Sequence, residues 1–188
     1  MSGSSSGLGG YFNLEAPCRA EGSLVTRGRP RLYVVHATFR APMSFVLRWC
    51  TDYSPEDPGL EGERFRRRIL KRTRTNVVYE DLDDTPGGWM WSRWNITIHP
   101  PDRWHGEAVG NYRGWTVDYR LKSLPGDRTQ LTLRGRRAPL LLGKRNPPKA
   151  QLERGLTQSW TKFARALEAD YAKTRRKGSG GTRGTRRR

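Results

Sequence analysis

The chain has 188 residues and a formal net charge of +18, from 36 Lys and Arg against 18 Asp and Glu. That length suits one domain with tails, and seven Trp and seven Tyr concentrate the apolar content in bulky rings. No apolar run approaches the roughly 18 residues of a membrane-spanning helix, and the Gly/Ser-rich start lacks the charged and apolar regions of a secretory signal.

The charge is unevenly placed. No acid follows Asp170, and the eight cations from Lys173 onward leave +10 on residues 1–172. The folded part is therefore basic in its own right and attracts polyanions. The two cysteines, Cys18 and Cys50, form no metal or redox motif. Two such thiols fit a reducing cytoplasm, and no metal or cofactor is expected.

Residues 1–30 carry no periodic apolar pattern and read as a flexible leader. Arg31–Arg40 (RLYVVHATFR) is rich in β-branched and aromatic residues and predicts a strand. Ala41-Pro42 suits a helix start, and Phe45, Val46 and Trp49 recur at helical spacing over Met43–Cys50. Thr51–Gly62, with Pro55 and Pro58, predicts a loop. A meander follows, with strands expected over Phe65–Arg74, Val77–Leu82, Trp89–His99, Trp104–Gly110, Gly114–Leu124 and Thr129–Arg137. Leu140-Leu141-Leu142 reads as a lid at a cavity mouth or as a last core contact.

In Gln151–Ala172 the residues Leu152, Leu156, Trp160, Phe163, Leu167 and Tyr171 make one apolar stripe, which predicts a long helix packed on the sheet. Residues 173–188 read as a disordered basic tail. The fold class expected is α+β, a curved antiparallel sheet of about seven strands wrapped on a long C-terminal helix.

This order of elements resembles the helix-grip fold of the START/Bet v-like superfamily (SRPBCC), in its polyketide cyclase/dehydrase-like branch. The resemblance spans Arg31–Tyr171 and rests on FRAPMSFVLRWCTDY, on the hairpin of Trp115–Leu121 with Gln130–Leu133, and on the terminal helix. The Gly-rich loop of the plant allergen branch has no counterpart near Gly59–Gly62. The resemblance implies a cavity between sheet and long helix that holds a lipid, polyketide or other hydrophobic ligand. Only some members of the family catalyse a reaction.

Strand parity and the helix stripe place Trp94, Trp115, Val117, Tyr119, Leu131, Leu133, Leu156, Trp160 and Phe163 as candidate wall residues. If the protein is a cyclase-like enzyme, inward-facing His36 and Tyr119 would polarise a carbonyl and move a proton. His105 and Glu107 share a strand face, a pairing that tunes an imidazole.

Outward parity on the basic strand places Arg66, Arg68, Arg72 and Arg74 in a row spaced about 7 Å. With Arg175, Arg176 and Lys177 they are candidate contacts to RNA, DNA or an acidic membrane surface. Three functions are thus open from the sequence: carriage of a hydrophobic small molecule or lipid, a nucleic-acid- or ribosome-associated scaffold, and a cyclase-like enzyme.

Overall fold

The structure, a computed structural model, describes residues 29–61, 65–85, 88–138 and 147–179. The elements run β1 (Arg31–Phe39), α1 (Met43–Cys50), α2 (Asp57–Glu61), β2 (Phe65–Arg72), β3 (Asn76–Thr85), β4 (Gly88–His99), β5 (Arg103–Gly110), β6 (Thr116–Leu124), β7 (Arg128–Arg137) and α3 (Lys149–Ser179). The seven strands form one antiparallel sheet in the order β1-β7-β6-β5-β4-β3-β2. The chain therefore crosses from β1 to the far edge through α1 and α2, then meanders back until β7 pairs with β1.

The side-chain period of two divides every strand between a core face and an outer face. Tyr33, Val35 and Phe39 of β1, Val77 and Tyr79 of β3, Ile96 and Ile98 of β4 and Trp104 of β5 are all buried on the core side. Leu131 and Leu133 of β7 join them. Val46 of α1 and Leu167 of α3 close the core from the opposite layer.

Helix α3 also covers the free edge of β1. The amide of Val34 donates to Glu153 Oε1 at 2.9 Å, and that of Arg40 to Glu168 Oε1 at 2.8 Å. An edge strand that would otherwise present unpaired amides is thereby blocked.

Several features differ from the sequence expectation. The stretch expected to be loop contains α2, whose Asp57 is held by Arg67 at 2.9 Å. The row Arg66, Arg68, Arg72, Arg74 is broken because a bulge lies between Ile69 and Lys71. Beyond it Arg72 pairs with the buried Val77, turns to the inner side and donates to the Tyr53 carbonyl at 3.3 Å. The extra residue of a bulge reverses the side-chain parity that follows it.

Helix α3 continues past Ala172 to Ser179 and so takes up Lys173–Ser179, which the sequence reading placed in the tail. Lys and Arg are good helix formers, and cations suit a helix C-terminus. The leader up to residue 28, the Leu140-Leu141-Leu142 triplet, Cys18 and residues 180–188 lie outside the described residues.

Candidate functional site

A cavity of about 140 Å³ lies between the sheet, α1, α2 and α3. The core-facing parity of β3, β5 and β6 supplies Tyr79, Trp104 and Tyr119 as its floor. Helix α3 supplies Trp160 and Phe163, and α1 supplies Trp49 and Cys50. Tyr53, in the α1–α2 connection, completes the ring of aromatic side chains.

The rings hold one another. Tyr119 stacks on Trp104 at 4.5 Å between centroids and 6° between planes, and Tyr53 stacks on Tyr79 at 5.1 Å. Trp160 meets Phe163 edge-on at 5.4 Å and Tyr119 at 6.0 Å. The Trp49 indole donates to Asp170 at 3.2 Å, which ties α1 to α3 beside the cavity. Tyr53 reaches Tyr79 from a left-handed backbone, φ 45°, a conformation that costs a non-glycine residue about 1 kcal/mol or more.

One end of the cavity is ionic. Arg67 lies on the inner parity of β2, with its side chain only 7% exposed. It donates to Asp81 from Nε at 2.9 Å and Nη2 at 3.0 Å, and to Asp57 from Nη1 at 2.9 Å. Its guanidinium also stands 4.2 Å from the centre of the Tyr79 ring. Burial disfavours the charge, but the Asp81 hydrogen bonds, Tyr79 and the two carboxylates outweigh it and raise the Arg67 pKa.

Burial pushes the Asp57 carboxyl up to about 6 against the pull of Arg67, with Asp52, Glu56 and Asp81 adding to the rise. Burial, then Asp52 and Asp57, pushes the Cys50 thiol well above its ordinary range. The site can therefore sandwich a flat apolar body, and below pH 6 Asp57 can donate a hydrogen bond to a carbonyl or hydroxyl.

Of the wall residues expected from sequence, Tyr119, Trp160 and Phe163 line this cavity. Val117, Leu131 and Leu133 are buried in the packed core, and Trp94 and Leu156 pack against it. Trp115 sits at the other end of the sheet, where its indole donates to the Ala138 carbonyl at 3.2 Å and Arg137 stacks 3.9 Å from its ring.

The pairing of His36 with Tyr119 is not formed, and the inward placement of His36 is corrected. His36 pairs with Thr132 on the outer face, its Nδ1 3.2 Å from Thr132 Oγ1, while Tyr119 pairs with the buried Leu133. The two side chains lie on opposite sides of one sheet. His105 also faces outward, held by Asp118 at 2.7 Å and Glu107 at 3.2 Å. Burial lowers its pKa, but these two carboxylates outweigh that and raise it. Arg66, Arg68, Arg72, Arg74, Arg175 and Arg176 are exposed, and the side chain of Lys177 lies outside the described residues.

Arg67, Asp57 and Asp81 were missed in the sequence. The signal was present: placing Arg66 and Arg68 outward leaves Arg67 inward with Ile69, and Asp81 shares the parity of Val77 and Tyr79.

No protein-family model matches the sequence, and no curated protein matches it. Solved structures do. The chain superimposes on the ZhuI aromatase/cyclase from Streptomyces sp. R1128 with a TM-score of 0.57 at 16% identity, over 76% of this chain and 94% of that one. The chain has the helix-grip fold.

A START superfamily protein from Mycobacterium smegmatis matches with a TM-score of 0.53 at 13% identity, over 76% of this chain and 98% of that one. Ara h 8.0201 matches with a TM-score of 0.56 at 9% identity, over 74% and 99%. The helix-grip fold expected from the sequence is the one observed. Among the described residues, no helix is long and apolar enough to cross a membrane.

Proposed function

We propose that the protein binds a small hydrophobic molecule, aromatic in character, in the helix-grip cavity, as a carrier or binding protein. The observation that carries this reading is the cavity wall: two stacked ring pairs on one side, Trp160 and Phe163 on the other, and the Arg67–Asp57 pair at one end.

Size sets the ligand class. A volume of about 140 Å³ is close to that of an apolar cavity that holds benzene and well below the roughly 300–1,000 Å³ of sites for drug-sized ligands. A one-ring ligand fits without rearrangement. A lipid or polyketide needs α2 to swing outward, which breaks the Asp57–Arg67 contact. That an aromatase/cyclase and a START superfamily protein share the fold supports a hydrophobic ligand. The outward placement of His36 weighs against a cyclase-like reading in which His36 works with Tyr119.

Native mass spectrometry of protein purified at high salt, compared with the denatured mass, tests the reading. A discrete added mass of roughly 80–150 Da, that of a one-ring compound, or saturable quenching of tryptophan fluorescence by 4-nitrophenol that is lost in Trp160→Ala, is the expected result. Clean apo protein with no saturable quenching would overturn it.

A further inference from the structure

The outer face of the sheet, opposite the cavity, carries a second arrangement of charge and rings. Across β4–β5–β6–β7–β1 one register row reads His99, Arg103, Arg120, Thr132, His36. His99, Arg103, Arg120 and Thr132 of this row, with Arg134 in the next, line a groove of about 630 Å³. Arg103 and Arg120 stand directly opposite each other, an arrangement of like charges that destabilises a sheet.

Neutralisation within the fold is incomplete. Asp102 lies 3.6 Å from Arg103 and 3.8 Å from Arg120, beyond hydrogen-bond distance of either. Asp118 is engaged by His105, and Arg134 makes no ion pair among the described residues. Asp102 and Asp118, which stands directly opposite Arg134, leave one of the three guanidiniums uncompensated on this face.

Farther along the same face of β4 stand two indoles, Trp89 at 60% exposure and Trp91 at 38%. Eight residues separate Trp91 from His99, about 27 Å of strand. Trp91 is held in place rather than loose. Its backbone exchanges hydrogen bonds with Asn111, at 2.7 and 2.9 Å, and its ring lies against Gly110, where a β-carbon would run into it. The Arg93 guanidinium stands 5.6 Å from the ring centre.

We propose that this outer face binds single-stranded nucleic acid, with Arg103, Arg120 and Arg134 on phosphates and Trp89 and Trp91 stacking on bases. Guanidiniums alone would suit any polyanion. Exposed indoles on the same face select one whose flat bases are free to stack, which excludes a duplex. The distance between the two clusters suits a segment of several nucleotides, a site size comparable to the roughly 4–16 that one OB fold covers. The +10 charge on residues 1–172 raises the encounter rate. Groove and cavity share Trp104 and Tyr119 of the sheet between them, but none of the three arginines and two tryptophans lines the cavity, so the two readings are tested separately.

Fluorescence anisotropy of labelled oligothymidylate with the full chain, over about 50 to 200 mM salt, tests it. Arg103→Gln/Arg120→Gln/Arg134→Gln should weaken binding at least tenfold and flatten the log–log salt slope by about 2, three phosphates at about 0.7 each. Trp89→Ala/Trp91→Ala should weaken oligothymidylate binding by at least about thirtyfold, for two lost stacks, while leaving heparin binding unchanged.

The basic C-terminus is common to all variants and drops out of the comparison. Thermal melts check that each variant is folded: removing the opposed Arg103 and Arg120 should not lower the melt, and Trp91→Ala should lower it modestly through lost packing on Gly110. Unchanged oligothymidylate affinity in the tryptophan variant, or equal affinity for duplex and single strand, would overturn the proposal. So would tryptophan-dependent binding to phosphatidylserine vesicles without tryptophan-dependent binding to the oligonucleotide.

Discussion

Arg67 and Asp81 face each other in register across β2 and β3 and share two parallel hydrogen bonds, Nε to Oδ1 at 2.9 Å and Nη2 to Oδ2 at 3.0 Å. Both side chains are nearly inaccessible to water. Such a pair is costly to half-remove, because the remaining charge stays buried without its partner. Asp81→Asn is expected to lower stability by about 3 kcal/mol in urea unfolding. The double change Arg67→Met/Asp81→Leu should be the milder of the two. A double variant less stable than Asp81→Asn would show that Arg67 is held mainly by Asp57 and the Tyr79 ring.

Asp57 makes stability depend on pH with a definite sign. Its carboxyl is raised to about 6 in the fold, chiefly by burial, against roughly 4 in the unfolded chain. Between those values the native state holds the extra proton. Its contribution is complete below about pH 4 and is lost as pH rises through about 6, at most about 3 kcal/mol. Asp57→Asn should remove this decline, so urea midpoints of wild type and variant should diverge between pH 4 and 7. Parallel curves would mean that Asp57 titrates normally.

Gly135 packs where no side chain fits. It pairs with Tyr33 across β1 and β7, and a β-carbon there would overlap the tyrosine ring. Gly135→Ala should cost about 1–3 kcal/mol as an overpacked core site, measured by thermal or urea unfolding. The same change in a Tyr33→Ala background should cost much less. Equal penalties in both backgrounds would place the strain in the backbone.

Cys50 reports on the cavity. It lines the wall, and burial raises its thiol pKa, so little thiolate exists at neutral pH. In a Cys18→Ser background, the native protein should react with a disulfide reagent many-fold more slowly than the urea-unfolded chain, and a bound cavity ligand should slow it further. Rapid labelling of the native protein would mean that α2 opens readily.

Much of the architecture was legible along the chain. The α3 stripe from Leu152 to Tyr171 and the parities of β6 and β7 are local periodicities, and local periodicity sets which side of an element meets the core. The outward set Thr116, Asp118 and Arg120 and the inward set Val117, Tyr119 and Leu121 follow from the alternation alone. The same alternation orients His36: Tyr33, Val35, Ala37 and Phe39 form an all-apolar parity, which leaves His36 outward with Thr38, as its pairing with Thr132 shows.

Composition and periodicity by themselves determined the fold class, the long packed helix, the meander and the basic character of the exterior, because these depend on residue type and near-neighbour spacing. Only the tertiary structure decided that Arg67 meets Asp57 and Asp81, that a bulge turns Arg72 inward, and that Trp49, Tyr53, Tyr79, Trp104 and Tyr119 converge on one small cavity. The structure also brought Arg103, Arg120 and Arg134 together on the opposite face. Each depends on register between strands or on helix placement over the sheet, set by the packing of many side chains at once.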